Sequence, residues 1–545
     1  MTSSLASPSA AEAHPSAHVD TFARDHLPPV DEWPDLVFDL PELQYPARLN
    51  CVAELLDRHV AEGRGERRAI LGEQHVWTYA DLQRRVDRIA HVLRADMGLV
   101  PGNRVLLRGA NCPSMAAAVL AVLKAGLVAV PTMPLLRAKE LGVILGKAQV
   151  NAVLCARALA GELEQVAGHP PTVYFDDPDH PEGLEARMAR HEAPFAAVDT
   201  AADDVCLIGF TSGTTGVPKG TMHFHRDVLA ICDCFPPHVL RSGADDVFIG
   251  TPPLAFTFGL GGLLLFPMRT GAAAVLLERL TPEGLLAAIE RHRATICFTA
   301  PTFYRQMTPL VPKFDLSSLR KCVSAGEALP LATRDAWKSA TGIDMIDGIG
   351  ATEILHIFIS ASGDDIRPGA TGKPVPGYRA CILDADGRPA GPGVIGRLAV
   401  KGPTGCRYLA DERQRKYVLN GWNLTGDAYE MDADGYFHYR ARTDDMIISA
   451  GYNIAGAEVE DVLLRHPAVA ECGVVGRADE ERGQIVEAHV VLKPGFDPSP
   501  ELVRELQDFA KQHIAPYKYP RAVRFTDKLP RTETGKLQRF KLRES

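Results

Sequence analysis

The sequence has no Cys-x-x-Cys pair and no His/Cys cluster at metal-ligand spacing, although it contains 11 cysteines. Cys232 and Cys234 are spaced wrongly for a zinc knuckle. The N-terminus has no basic segment leading into an apolar one, so nothing marks a secretion signal. The thiols are therefore expected to be reduced and mostly buried, in a cytoplasmic protein. Strong charge of one sign is also missing. A net charge of −9 leaves no basic face for nucleic acid. No apolar run is long enough to span a bilayer. The uncharged stretch Val247–Met268 is broken by Pro252, Pro253 and several glycines, which excludes a membrane helix. It reads instead as a buried strand, loop and helix that wall a ligand. Internal repeats and coiled-coil heptads are absent.

What remains is a chain of 545 residues with 46% apolar content, enough for two to four packed units. Short apolar runs alternate with amphipathic ones. Residues 105–107, 127–130, 152–155, 205–208, 295–298 and 321–324 read as strands, and Leu82–Leu93, Met115–Lys124, Thr281–His292 and Leu331–Thr341 as helices. This alternation predicts α/β architecture with largely parallel sheets. From about Gly369 glycine and proline become frequent and short strands dominate. The last hundred residues read as a small α+β unit. The expected organisation is a disordered tail over 1–22, a large N-terminal domain over 23–443 whose β-rich subdomain occupies about 369–443, and a small C-terminal domain over 444–545.

One loop carries the strongest chemical signal. A buried strand, Cys206–Phe210, runs into Thr211-Ser-Gly-Thr-Thr-Gly-Val-Pro-Lys-Gly220, and a helix is expected near Arg226. Gly213, Gly216 and Gly220 let the backbone turn tightly and approach a ligand. Thr211, Ser212, Thr214 and Thr215 offer hydroxyls, and Lys219 offers a point charge suited to phosphate. A Walker A loop would place Ser or Thr after the lysine. Gly220 stands there, so a P-loop nucleotidase is excluded.

With further motifs in order along nearly the whole chain, this loop resembles the phosphate-binding signature of the adenylate-forming superfamily: acyl-CoA synthetases, adenylation domains and firefly-type luciferases. The resemblance implies ATP, Mg²⁺ and coenzyme A as cosubstrates and cofactor, and a C-terminal domain that moves. Asp347-Gly-Ile-Gly-Ala-Thr-Glu353 is similar to a family motif in which Thr352 contacts the α-phosphate and Glu353 holds Mg²⁺; a carboxylate suits that hard cation. Asp347, Gly348 and Ile349 would line the nucleotide, with aliphatic Ile349 where many relatives stack an aromatic ring. Ala325, Gly326 and Glu327 would line the adenine and acyl pocket. Asp427, in Thr-Gly-Asp, suits the two ribose hydroxyls. Arg442 matches a ribose and phosphate arginine, and Asp444 the hinge. Lys536 matches the catalytic lysine that meets charge at the α-phosphate. Gly451 and Tyr452 would approach a pantetheine thiol after the domain rotates. The thiol belongs to coenzyme A or to a carrier protein. A non-catalytic nucleotide-binding protein of this fold is the remaining class, and intact Glu353, Asp427, Arg442 and Lys536 weigh against it.

The acid is read from Pro252–Gly262. An amino-acid-activating domain would carry an Asp after this segment, and a dihydroxybenzoate- or salicylate-activating one an Asn; neither is there. Asp347–Gly350 with Thr352-Glu-Ile-Leu-His356, together with residues 33–50 and 253–262, resembles benzoate- and 2-aminobenzoate-CoA ligases. On that resemblance the partner is a small aromatic acid. Phe256 and Phe258 either sandwich a flat ring or are core aromatics, and Thr257 faces an ortho substituent. Gly259 and Gly350 lie beside the acyl group. His356 either touches the carboxylate or caps a helix.

Overall fold

The computed structural model describes residues 15–544 other than 74, 212–217, 385, 444, 450–451, 480–481, 515 and 532–536. Two large sheets form its body. In the first, the strands lie in the order Thr172–Phe175, Ala152–Ala156, Arg104–Arg108, Val128–Thr132, Val205–Thr211, Lys219–Phe224. All neighbours are parallel except the last pair. Three strands, Arg104–Arg108, Val128–Thr132 and Ala152–Ala156, are buried at every position. Such unbroken burial is what a parallel sheet covered on both faces requires. The helix Pro113–Lys124 supplies part of that cover and is buried from Met115 to Lys124. Pro113 starts it where a missing N–H does no harm. The buried Lys124 ammonium is paired with Asp87 at 2.5 Å and Asp57 at 2.7 Å, as a charge removed from water must be.

The second sheet has nine strands in the order Lys373–Pro374, Ile357–Ser360, Met345–Gly350, Lys321–Ala325, Ile296–Thr299, Val247–Gly250, Ala273–Val275, Arg68–Leu71, Val76–Thr78. Its centre is parallel and its two ends antiparallel. The sheets meet where Gly209 lies against Thr352; a Cβ on Gly209 would stand 3.0 Å from Thr352 Cγ2. This junction lies beyond the carboxyl ends of parallel strands, where α/β folds place their ligands.

An antiparallel sheet follows, built from Arg379–Leu383, Ile395–Lys401, Trp422–Met431 and Val418–Leu419, with Phe437–Arg442 paired to Trp422–Met431. The C-terminal unit then forms a hairpin, Ile447–Ser449 with Tyr452–Ile454, and a three-stranded sheet of Val469–Asp479, Gly483–Leu492 and Ala522–Phe525. Its helices Gly456–Leu463 and Pro500–His513 bury Val459, Val462, Leu463, Leu502 and Leu506 in a core of their own. This is the expected α/β body with a β-rich segment and a small α+β unit after it.

Two local expectations differ. The tail ends earlier than residue 22: the Ala17 N–H donates to Asp204 Oδ2 at 3.0 Å, His18 is buried, and Asp20 pairs with Arg104 at 2.5 Å. Asp204 and Arg104 are distant in sequence, so local composition could not show their hold on this segment. The second is a strand the sequence reading lacks between the glycine loop and the helix expected near Arg226. That strand, Lys219–Phe224, has Thr211 opposite Lys219 and Phe210 opposite Gly220. The helix begins at His225.

Candidate nucleotide and acyl site

The antiparallel pairing makes Val205–Thr211 and Lys219–Phe224 the two arms of a hairpin, with Lys219 on the returning arm. Ser212, Gly213, Thr214, Thr215 and Gly216 lie outside the described residues. At the end of the first arm, Thr211 Oγ1 is buried and has no hydrogen-bond partner among the described residues. Lys219 Nζ donates to Tyr408 Oη at 2.7 Å and lies 3.3 Å from Glu353 Oε1. Tyr408 Oη in turn donates to Glu353 Oε1 at 2.5 Å. One cation, one phenol and one carboxylate thus converge where the two sheets meet. Burial, and then the Glu353 charge, push the Tyr408 pKa up, so its hydroxyl keeps its proton.

Glu353 stands on the 3₁₀ turn Thr352–Ile354. The turn is held from the first sheet, because the His223 Nε2–H donates to the Thr352 carbonyl at 2.8 Å. Burial lowers the His223 pKa to about 4, so the ring is neutral at physiological pH. Leu355, fully buried, ends the turn at φ +74°, a rare conformation for a branched residue that packing enforces. The preceding glycines answer crowding: a Cβ on Gly350 would lie 2.9 Å from the His356 carbonyl, and one on Gly348 2.8 Å from Ile357 Cγ2. Beside them, burial pushes the Asp347 carboxyl up to about 7, and its Oδ1 has no partner among the described residues. Ile349 packs against the main core.

Asp427 and Arg442 face each other in register across two antiparallel strands, with Arg442 Nη1 3.1 Å from Asp427 Oδ1. Gly426, at φ +77°, makes room; a Cβ there would come 2.6 Å from Arg442 Nη2. Asp444 lies outside the described residues, and its neighbour Asp445 forms an ion pair with Arg543. The tip of the next hairpin, with Gly451, is likewise outside; Tyr452 opens its returning strand.

Ala325 ends a buried strand, and Gly326 follows at φ +89°. Glu327 Oε2 accepts the Thr302 hydroxyl at 2.7 Å. A cavity of about 390 Å³ opens here, lined by Thr251, Thr302, Phe303, Glu327, Glu471 and Arg531. Glu471 and Arg531 belong to the C-terminal unit and pair at 2.7 Å; Arg531 also lies 3.7 Å from Glu327. Lys536 lies outside the described residues; among those flanking it, Arg531 bridges to Leu537, and the Gln538 N–H donates to the Pro530 carbonyl at 2.9 Å.

The segment expected to face the acyl group is aromatic and glycine-rich. Phe256 precedes the short helix Thr257–Leu260. Phe258 meets Phe298 at 5.6 Å and His356 at 5.9 Å between ring centroids; its ring partners among the described residues are these two. Phe266 and Phe235 close on His356 at 4.5 and 5.7 Å. Gly259 touches backbone, since a Cβ would sit 2.2 Å from the Pro253 carbonyl. A Cβ on Gly261 would sit 2.3 Å from His356 Cδ2. His356 is 2% exposed; neither ring nitrogen meets strict hydrogen-bond geometry among the described residues, and the nearest polar group is the Phe258 backbone of the short helix Thr257–Leu260. Burial in this box lowers its pKa to about 3.

Sequence reasoning missed Tyr408, His223 and Tyr417, whose hydroxyl is buried without a partner among the described residues. Tyr408 reaches the site only because its segment pairs with the strand Lys219–Phe224, opposite Thr221. No local motif signals that pairing. Among the described residues, no helix is long and apolar enough to cross a membrane.

The AMP-binding enzyme family matches residues 57–408, and the C-terminal domain family of the same enzymes matches 458–536. The chain belongs to the AMP-binding enzyme family. This AMP-binding enzyme is 36% identical over 522 residues to a benzoate–CoA ligase of Thauera aromatica, covering 93% of this chain and 98% of that protein. It superposes with TM-score 0.87 at 34% identity on the crystal structure of an anthranilate CoA ligase in complex with anthranoyl-AMP, covering 93% of this chain and 98% of that one. It superposes with TM-score 0.83 at 33% identity on a benzoate CoA ligase from Burkholderia xenovorans LB400, covering 91% of this chain and all of that one (100%).

Proposed function

We propose that this AMP-binding enzyme is an ATP-dependent aryl-acid:coenzyme A ligase, acting on 2-aminobenzoate or benzoate. The observation that carries the reading is the segment 352–356. At one end Glu353 faces Lys219; three residues on, His356 sits in a box of Phe235, Phe258, Phe266 and Phe298. Phosphate-binding groups and an aromatic cluster are thereby joined on one short stretch of chain. The relatives named for benzoate and anthranilate support the same reading.

In the first half-reaction an oxygen of the aryl carboxylate attacks the α-phosphorus of ATP. The bond to the β-phosphate oxygen breaks, giving aryl-adenylate and pyrophosphate. Lys219, with Ser212, Gly213, Thr214, Thr215 and Gly216 of the glycine-rich motif, holds the departing pyrophosphate. Thr352 contacts the α-phosphate, and Asp427 with Arg442 holds the ribose. Lys536 balances charge at the reacting centre from the C-terminal unit. Glu353 fits Mg²⁺, since it is a hard carboxylate whose charge is now balanced by the Lys219 ammonium 3.3 Å away. When bound, Mg²⁺ neutralises phosphate charge. In the second half-reaction the coenzyme A thiol loses its proton and attacks the aryl carbonyl, expelling AMP and leaving the thioester. Asp444 serves as the hinge, and Gly451 and Tyr452 line the thiol approach.

The aromatic box favours a flat ring. A neutral His356 adds no charge there, so the substrate carboxylate must face Lys536 and the nucleotide. Thr257, first residue of the short helix Thr257–Leu260, is the hydroxyl we assign to an ortho substituent. The test is a pyrophosphate-release screen with coenzyme A over benzoate, 2-aminobenzoate, salicylate, cinnamate and short fatty acids. Turnover of benzoate or 2-aminobenzoate above the others is expected. Turnover of fatty acids alone would overturn the aryl assignment.

A further inference from the structure

We propose that Tyr408 is a positioning residue for MgATP, acting through Lys219 and Glu353. The proposal rests on the reading of those two side chains as the phosphate and metal groups of the site. Tyr408 is 1% exposed and held on every side. The Met222 N–H donates to the Arg407 carbonyl at 2.8 Å, and the Leu409 N–H to the Gly220 carbonyl at 2.8 Å. The Tyr408 N–H donates to Gln414 Oε1 at 2.9 Å, and the neighbouring Arg407 is anchored by Asp227 at 2.8 Å, both fully buried. Its ring abuts Tyr417 edge-on at 5.7 Å. The phenol is therefore fixed, whereas Lys219 and Glu353 end flexible side chains.

A hydroxyl has one proton to give and lone pairs to accept with. Tyr408 uses both: it donates to Glu353 Oε1 at 2.5 Å and accepts from Lys219 Nζ at 2.7 Å. It holds both members of the Lys219–Glu353 ion pair, themselves hydrogen-bonded at 3.3 Å, in fixed places while carrying no charge of its own. Without it, this 3.3 Å ion pair loses the group that both members share and can shorten. Each partner would then cancel more of the charge the other must offer, Lys219 to phosphate and Glu353 to the cation. With Tyr408 present, phosphate can draw Lys219 away and a cation can take Glu353 Oε2 while both phenol bonds persist.

The test is Tyr408→Phe, which keeps the ring and removes one oxygen. MgATP binding is measured by titration calorimetry without any carboxylic acid. A hydrogen bond to a charged group implies that the Kd for MgATP rises about tenfold or more. The half-saturating Mg²⁺ concentration should rise with it. The KM values for the aryl acid and for coenzyme A should stay within about twofold, a split that a general structural defect would not produce. Glu353→Gln is the second variant: it should flatten the Mg²⁺ dependence of ATP binding, and in its background Tyr408→Phe should add less than about twofold. Wild-type-like MgATP binding by Tyr408→Phe, or full additivity of the two substitutions, overturns the role of Tyr408. If Tyr408→Phe does not fold, an unchanged Mg²⁺ dependence in Glu353→Gln overturns it. A wild-type chain that binds no MgATP removes the reading beneath; one that binds MgATP but turns over no aryl acid removes only the substrate assignment.

Discussion

Replacing His356 by phenylalanine should make this enzyme more resistant to acid. The imidazole is 2% exposed and sits among four phenylalanines, and neither nitrogen meets strict hydrogen-bond geometry among the described residues. An ordinary imidazole titrates near 6.5; burial lowers this one to about 3. Below pH 6.5 the unfolded chain takes up a proton here that the folded chain refuses. The stability that neutral His356 contributes is therefore present above 6.5 and lost as pH falls toward 3. The slope for one such group is ~1.4 kcal/mol per pH unit. Between pH 8 and pH 5 it amounts to ~2 kcal/mol, a large part of a net folding free energy of ~5–15 kcal/mol. Phenylalanine removes the titration and keeps an aromatic ring in the box, at a packing cost that is the same at every pH. The assay is urea unfolding of both proteins at pH 5, 6.5 and 8. Tryptophan fluorescence is a suitable probe because all 4 tryptophans, at 33, 77, 337 and 422, precede the C-terminal unit. The stability difference between variant and wild type should shift toward the variant by ~2 kcal/mol from pH 8 to pH 5. A difference that does not change with pH would refute the view of His356 as a buried neutral imidazole.

Asp347→Asn should show the opposite sign. Burial raises its carboxyl to about 7, so its stabilising effect is present below about pH 4 and lost as pH rises through 7; the variant should gain ~2 kcal/mol on wild type at pH 8 relative to pH 4.5 in the same assay, after allowance for solvent screening. Gly261→Ala places a methyl 2.3 Å from His356 Cδ2; overpacking of ~1–3 kcal/mol should appear in urea unfolding, with a raised KM for the aryl acid and an unchanged KM for ATP. Of the cysteines, only Cys381 is half-buried and the rest are buried, so a thiol reagent should titrate at most one in the native protein and 11 in guanidinium. Cys51, Cys206 and His225 do cluster, but in the core, where the Cys51 N–H already donates to His225 Nδ1 at 3.2 Å.

The sequence made the body of the fold legible because its signals are local. Parallel strands buried on both faces appear as unbroken apolar runs, and Leu331–Thr341 is a helix at the residues its pattern indicates. Glycines were legible for the same reason, since Gly350 and Gly259 each abut backbone that would collide with a Cβ. The strand Lys219–Phe224 was not. Its alternation is weak, and its pairing with Val205–Thr211 spans a motif rich in loop residues that masks the return. The tail was misjudged because its hydrogen bonds go to Asp204 and Pro101, which no window of residues 15–22 contains.

The same limit explains why the motifs identified Lys219 and Glu353 but not what lies between them. A motif records the residues that meet a ligand. It does not record the neutral group that both members of the 3.3 Å Lys219–Glu353 ion pair share before the ligand arrives. Such sharing needs a neutral group that both donates and accepts, fixed by its own backbone more firmly than the side chains it serves. Tyr408 meets the requirement through the pairing of its segment with the strand Lys219–Phe224, itself invisible locally. His356 is the converse case: the sequence marks it by position, yet its neutrality comes from four phenylalanines on three separate stretches of chain. In both, the residue type is read from the sequence, while the electrostatic state that decides its chemistry is created by tertiary packing.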